Sequence, residues 1–241
     1  MTAAWEALAT SLGYAIQCSS LFSELFVAAC LFAHGQPTKP HAWTRGLGAV
    51  ATVFVTSLVV SLLVGVHEVS NGNVLSLGAN SAWSSQLALG GALASCTLFL
   101  LALMPALLFC FEVSPWAAVF CATAGYALQN LASGVGEAAA LVLDAAGMPG
   151  IVVGGTPWLT IGACAAIYVA SYLLFIRHVD PKGLEGRGNP AMLAMIVVVV
   201  FGIIGFDLIL KYVVTGSLPV RIVLYLRAFH ALICVFVIIV E

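Results

Sequence analysis

Apolar residues come in seven long runs, broken by short polar connections. A hydrocarbon layer about 30 Å thick takes roughly 20 helical residues per crossing, and by that measure the runs predict seven membrane-spanning helices. Their limits are 8–33, 47–67, 84–109, 116–139, 157–177, 190–212 and 219–240. Trp5, Trp43, Trp83, Trp116 and Trp158 each stand just before one of the first five runs, where an amphipathic indole prefers the headgroup level. The fold class expected is an all-α membrane protein, a polytopic bundle forming one transmembrane domain over 1–241.

The fourth run organises the others. Tyr126, Gln129, Asn130, Ser133 and Glu137 follow at i, i+3, i+4, i+7 and i+11 within Pro115–Glu137, so on a helix they share one face. An unpaired amide costs several kcal/mol in hydrocarbon, and the stripe must therefore turn toward other helices or a water-filled cavity. Other runs supply matching faces. Gln17, Ser20 and Glu24 in the first, and Arg227, His230 and Cys234 in the last, sit at i, i+3 and i+7. The sixth run adds Asp207 and Lys211, an i, i+4 acid–base pair.

Because the sixth and seventh runs are antiparallel, Asp207 and Arg227 fall at similar depth, roughly 6–8 Å outward of the midplane. Their pairing is expected, since a lone Arg there costs a few kcal/mol. Gln129, Asn130 and His230 lie near the midplane and Glu24 slightly inward of it. Two readings of this core are open: a polar glue between helices, worth roughly 0.6 kcal/mol per hydrogen bond, or a core that responds to a signal or substrate. Glu137 and Asp144 are expected to be solvated. Pro105 within the third run is expected to kink it or open a backbone carbonyl.

Composition agrees with the pattern. Of 241 residues 62% are apolar and 7% charged, where soluble domains carry about 25% charged residues; mean hydropathy is +1.12. The net charge of −2 says less than the placement of the cations. Lys39 and Arg45 follow the first run, Arg177, Lys182 and Arg187 follow the fifth, and the connections after the second and fourth hold neither Lys nor Arg. The positive-inside rule then puts the amino terminus outside and the carboxyl terminus in the cytoplasm, with the chain in the inner (cytoplasmic) membrane. No basic residue precedes Lys39, so the first run is expected to stay in the protein rather than be cleaved.

Little points to catalysis. The seven cysteines all fall in apolar runs without a CxxC pair or Cys/His cluster, and no phosphate loop or Ser/His/Asp arrangement appears. No cofactor, metal or nucleic-acid partner is expected; the lipid bilayer is. The Asp207-x-x-x-Lys211 spacing matches that of microbial retinal proteins, but Lys211 sits at a predicted membrane edge in the penultimate run, which argues against a retinal site.

Two stretches, GYALQNLASG (Gly125 to Gly134) and RAFHALICVFVII (Arg227 to Ile239), with the Phe120–Cys121 step before the first, resemble the membrane sensor part of bacterial GHKL-type sensor histidine kinases. The multi-span group of anaerobic gut bacteria is the nearest likeness, and peptide-pheromone receptor kinases are more distant. The resemblance implies a homodimeric receptor for a peptide or small-molecule signal, whose last span feeds a cytoplasmic histidine kinase that uses ATP. The sequence reaches Glu241 without a phosphoacceptor box or ATP site, and His230, within the bilayer, is not a phosphoacceptor. The competing function is a small-solute transporter or channel-like protein with the same polar core as its pathway.

Overall fold

The structure is a computed structural model, and it describes residues 2–64, 98–145, 157–174, 176–178, 202, 205–206 and 220–240. Among them every regular element is helical: α1 (Thr2–Phe32), α2 (Ala42–Val64), α3 (Leu98–Cys110), α4 (Pro115–Ala145), α5 (Pro157–Leu174) with a short 3-10 turn at Ile176–His178, and α6 (Val220–Val240). Two of these, over Ser11–Phe32 and Ala42–Leu62, are long and apolar enough to cross a membrane. The expected span 84–109 is described only from Leu98, and the expected span 190–212 lies almost wholly outside the described residues. α3 runs through Pro105 as one helix, although the missing N–H leaves the Leu101 carbonyl without its i+4 donor.

Helix ends follow local chemistry. α1 stops where Gly35 and Pro37 interrupt the run, and the chain turns back through Gln36 N–H to Ala33 O at 3.0 Å. α2 begins after His41, which holds φ 59°, a left-handed conformation that few non-glycine residues take. α4 opens with Ser114-Pro115: Ser114 Oγ accepts from the Ala117 N–H at 3.2 Å, and proline at the first helical position forfeits a hydrogen bond that no helix makes there.

α4 is the hub. α1 packs along α2 and α4, while α4 also carries α5 and α6. From Phe120 to Asn130 every α4 residue is buried, a burial all round its circumference that marks an interior helix. At its crossing with α1 the backbones nearly touch. A Cβ added to Gly125 would lie 2.6 Å from Ala29 N and 2.7 Å from Ala29 Cα, the close approach that small residues permit between membrane helices.

The exterior is as apolar as the core. Leu12, Ile16, Val55, Val59, Leu101, Leu173, Tyr225 and Leu232 are exposed, while a mainly apolar interior around Phe22, Leu25, Leu103 and Leu128 also holds Gln129, Asn130, Ser61, Thr123, Ser171 and His230. Hydroxyls close on their own helices, as Ser19 on Ala15 O, Thr52 on Gly48 O and Thr123 on Val119 O, which leaves few polar groups on the apolar exterior.

One end of the bundle gathers several connections. Lys39 Nζ donates to Leu108 O at 2.8 Å and Arg45 to Phe109 O at 2.9 Å; Arg45 also stacks 4.8 Å from the Phe109 ring centre. Both cations thus sit on the last carbonyls of α3, where helix end and positive charge attract. Backbone bonds from Lys39 N–H to Cys110 O and from Glu112 N–H to Pro37 O, both within 3 Å, complete the clasp around a Thr38–Phe111 bridge. His34 meets Tyr172 edge-on at 5.2 Å. The carboxyl ends of α1, α3 and α5 therefore share one side, the side that holds Lys39, Arg45 and Arg177.

Candidate functional site

The seam among α1, α4 and α5 brings part of the expected core together. α1 and α4 run antiparallel: five residues from Ala29 back to Glu24 match four from Gly125 on to Gln129, about 6–7.5 Å along the axes. Gln129 Nε2 donates to Glu24 Oε2 at 3.4 Å. On the same level the Tyr168 hydroxyl of α5 donates to the Glu24 backbone carbonyl at 3.3 Å. Ser20 reaches the Glu24 carboxylate from one turn earlier, and Cys164, one turn before Tyr168, faces it from α5. The Gln129–Glu24 bond is longer than the usual 2.7–3.2 Å, so Gln129 holds the carboxylate loosely.

The other expected residues distribute as follows. Tyr126 and Asn130 are buried on α4 as the stripe requires. Asn130, however, spends its amide on its own helix, Nδ2 to Tyr126 O at 2.9 Å. Gln17 is half-buried, and its Oε1 atom is buried with no hydrogen-bond partner among the described residues. His230 is buried on α6, its ring 5.4 Å from that of Phe206 and its Nε2 3.9 Å from Cys234 Sγ, so the i, i+4 pair on the last helix does face inward. Asp207 and Lys211 lie outside the described residues, as do the side chains of Arg227 and Glu137, and with them the expected Asp207–Arg227 pair.

Sequence reasoning passed over α5. Cys164, Tyr168 and Tyr172 recur at i, i+4 and i+8, one face of a helix, and that face meets Glu24 and His34. Their spacing was a usable signal, hidden because aromatic residues and cysteine are read as ordinary core within an apolar run. Lys39 and Arg45 carry a second role that spacing alone does not show, since their partners on α3 are 69 and 64 residues away.

Chemically, the seam offers one carboxylate, one amide donor, two hydroxyls and a thiol. That set binds small polar groups or exchanges protons. Among the described residues no group of three His, Cys, Asp or Glu stands close enough to hold a metal ion. No protein-family model matches the chain, and no curated protein or solved structure shows significant similarity to it.

Proposed function

We propose that the chain is the membrane-embedded sensing part of a two-component sensor histidine kinase. It crosses the inner (cytoplasmic) membrane seven times, with its amino terminus outside and its carboxyl terminus inside, and works as a homodimer that passes an external peptide or small-molecule signal through α6 to a kinase. The membrane part of this reading is supported by the exterior, where Leu, Ile and Val lie exposed around a core that also holds amides and an imidazole, a surface unfavourable in water. The clustering of Lys39, Arg45 and Arg177 at one end is what a cytoplasmic face carries. Trp43 and Trp116, both exposed, start helices at that same end, at headgroup depth.

The observation that carries the sensory part is the position of α4. The Glu24–Gln129 seam and the exit helix α6 both pack on α4, which is buried all round from Phe120 to Asn130, so an event that repacks the seam moves the surface on which α6 rests. Packed interiors answer by switching arrangement rather than by yielding gradually. A cysteine crosslinking series along 224–238, run in membranes with and without fractionated culture fluid, tests this. A shifted periodicity of crosslinking is expected, and an unchanged one refutes signalling through α6. Codons for a kinase in frame after that of Glu241 would support the same reading independently.

A small-solute transporter is the second reading, favoured by a carboxylate that is only half-buried near the middle of a span. Uptake or current in proteoliposomes that Glu24→Gln abolishes would establish it in place of the first.

A further inference from the structure

We propose that Glu24 is a proton-binding site, supplied from the amino-terminal end of α1 along a hydrated flank formed by Gln17 and Ser20. The three residues fall within an arc of about 60° on α1 and rise by about 4.5 and 6 Å in turn. Ser20 already reaches the Glu24 carboxylate, and one water between Gln17 and Ser20 spans the remaining gap, since two hydrogen bonds through a water reach about 5.5 Å. This flank differs from the rest of the α1 surface. Leu12, Ile16 and Val27 are exposed apolar residues, whereas on the flank Ser20 is exposed, Gln17 and Glu24 are half-buried, and the Gln17 Oε1 acceptor is buried without a partner among the described residues.

Two independent observations converge here. A buried amide oxygen needs a donor, and water is the donor a polar flank admits. Two turns further on stands a carboxyl whose described contacts are a neutral amide 3.4 Å away, the Ser20 hydroxyl and the α5 groups. The titratable groups facing it are Cys164 and Tyr168 on α5; α4 presents Gln129, and α2 meets α1 on another flank, at Phe26 and Gly46. Among the described residues none of these is a cation. A carboxyl so placed in a span takes its compensating charge from a proton. Protonation turns Glu24 from an acceptor of the Gln129 and Ser20 bonds into a donor as well, so it rearranges the α1–α4–α5 seam.

The proton site depends on the membrane reading above. If that reading is extended to signalling, the proton, and with it external pH, is the stimulus. The test uses the full chain reconstituted in lipid, with infrared difference spectra recorded between acidic and alkaline buffer and the wild type labelled with 13C-glutamate. A protonated-carboxyl C=O band is expected that shifts with the label, is lost in Glu24→Gln, and exchanges in D2O several-fold more slowly in Gln17→Leu. A difference spectrum unchanged by Glu24→Gln overturns the proposal. Should that variant not fold, a label-shifted band that behaves in D2O alike in wild type and Gln17→Leu overturns it too. The α6 crosslinks, read at the same two pH values, separate the two ideas: a titrating band with fixed crosslinks keeps the proton site and removes the proton as the signal.

Discussion

Substituting Gly125 by Ala adds one methyl group at the point where α1 and α4 come closest. The new Cβ would stand 2.6 Å from Ala29 N, 2.7 Å from Ala29 Cα and 2.9 Å from Ala29 Cβ, against 3.4–4 Å for ordinary contact. The two nearest atoms are backbone, so no rotamer change relieves the clash and the helices must part by about 1 Å. A gap of that size forfeits a quarter to a half of each dispersion contact along the seam, and overpacking of this kind costs about 1–3 kcal/mol. Removing a helix glycine returns roughly 0.5–1 kcal/mol, which leaves a net loss of about 1–2 kcal/mol. Gly134→Ala is the control, because nothing lies within 4 Å of its added Cβ; it keeps the propensity gain alone. Unfolding in dodecyl maltoside–SDS mixed micelles, followed by far-ultraviolet circular dichroism, should therefore separate the two variants by the overpacking cost, roughly 1–3 kcal/mol. Ala29→Gly should rescue Gly125→Ala only in part, since it removes the farthest of the three obstacles. Equal stability of Gly125→Ala and Gly134→Ala would refute the close crossing and with it the α1–α4 register.

Three further outcomes follow from the described contacts. Lys39→Met and Arg45→Met should each lower stability by about 1 kcal/mol through loss of charge on the α3 carboxyl end, read as faster proteolysis of the connection around residue 112, with Lys39→Arg near wild type. Cysteines at Thr38 and Phe111 should oxidise to a disulfide in a Cys110→Ser background, because bridge partners lie about 4.5–5.5 Å apart at Cα, within disulfide range; failure under mild oxidant would separate the two connections. Gln129→Leu should cost about 0.6 kcal/mol by the same mixed-micelle measurement, whereas Asn130→Ala should leave the α1–α4 seam intact, because Asn130 bonds its own helix; the reverse order would reverse their assignments.

Much of the helical layout was legible because an apolar run of some twenty residues has few ways to satisfy its backbone in hydrocarbon. Polar residues at helical spacing inside an apolar run are expected to face inward, and Tyr126, Gln129 and Asn130 on α4 and His230 on α6 are buried. What each residue touches was not legible. Asn130 has its own i−4 carbonyl within reach on any helix, and that local bond competes with partners across the bundle. Gly125 reads as one more helix glycine until its crossing helix is known. Ala29, the residue it meets, carries no signal at all. The loose Glu24–Gln129 bond depends on register between α1 and α4, and register follows from that same crossing.

The clasp at the end of α3 has a bearing on how the chain is made. When α1 and α2 emerge during synthesis, Lys39 and Arg45 have no carbonyl partners, since Leu108 and Phe109 lie 69 and 64 residues downstream. Once α3 arrives they turn to its last turn, and because carbonyls are neutral they keep their full charge. The clasp thus closes only once α3 has been made, and it ties the α1–α2 connection to a helix that comes much later in the chain.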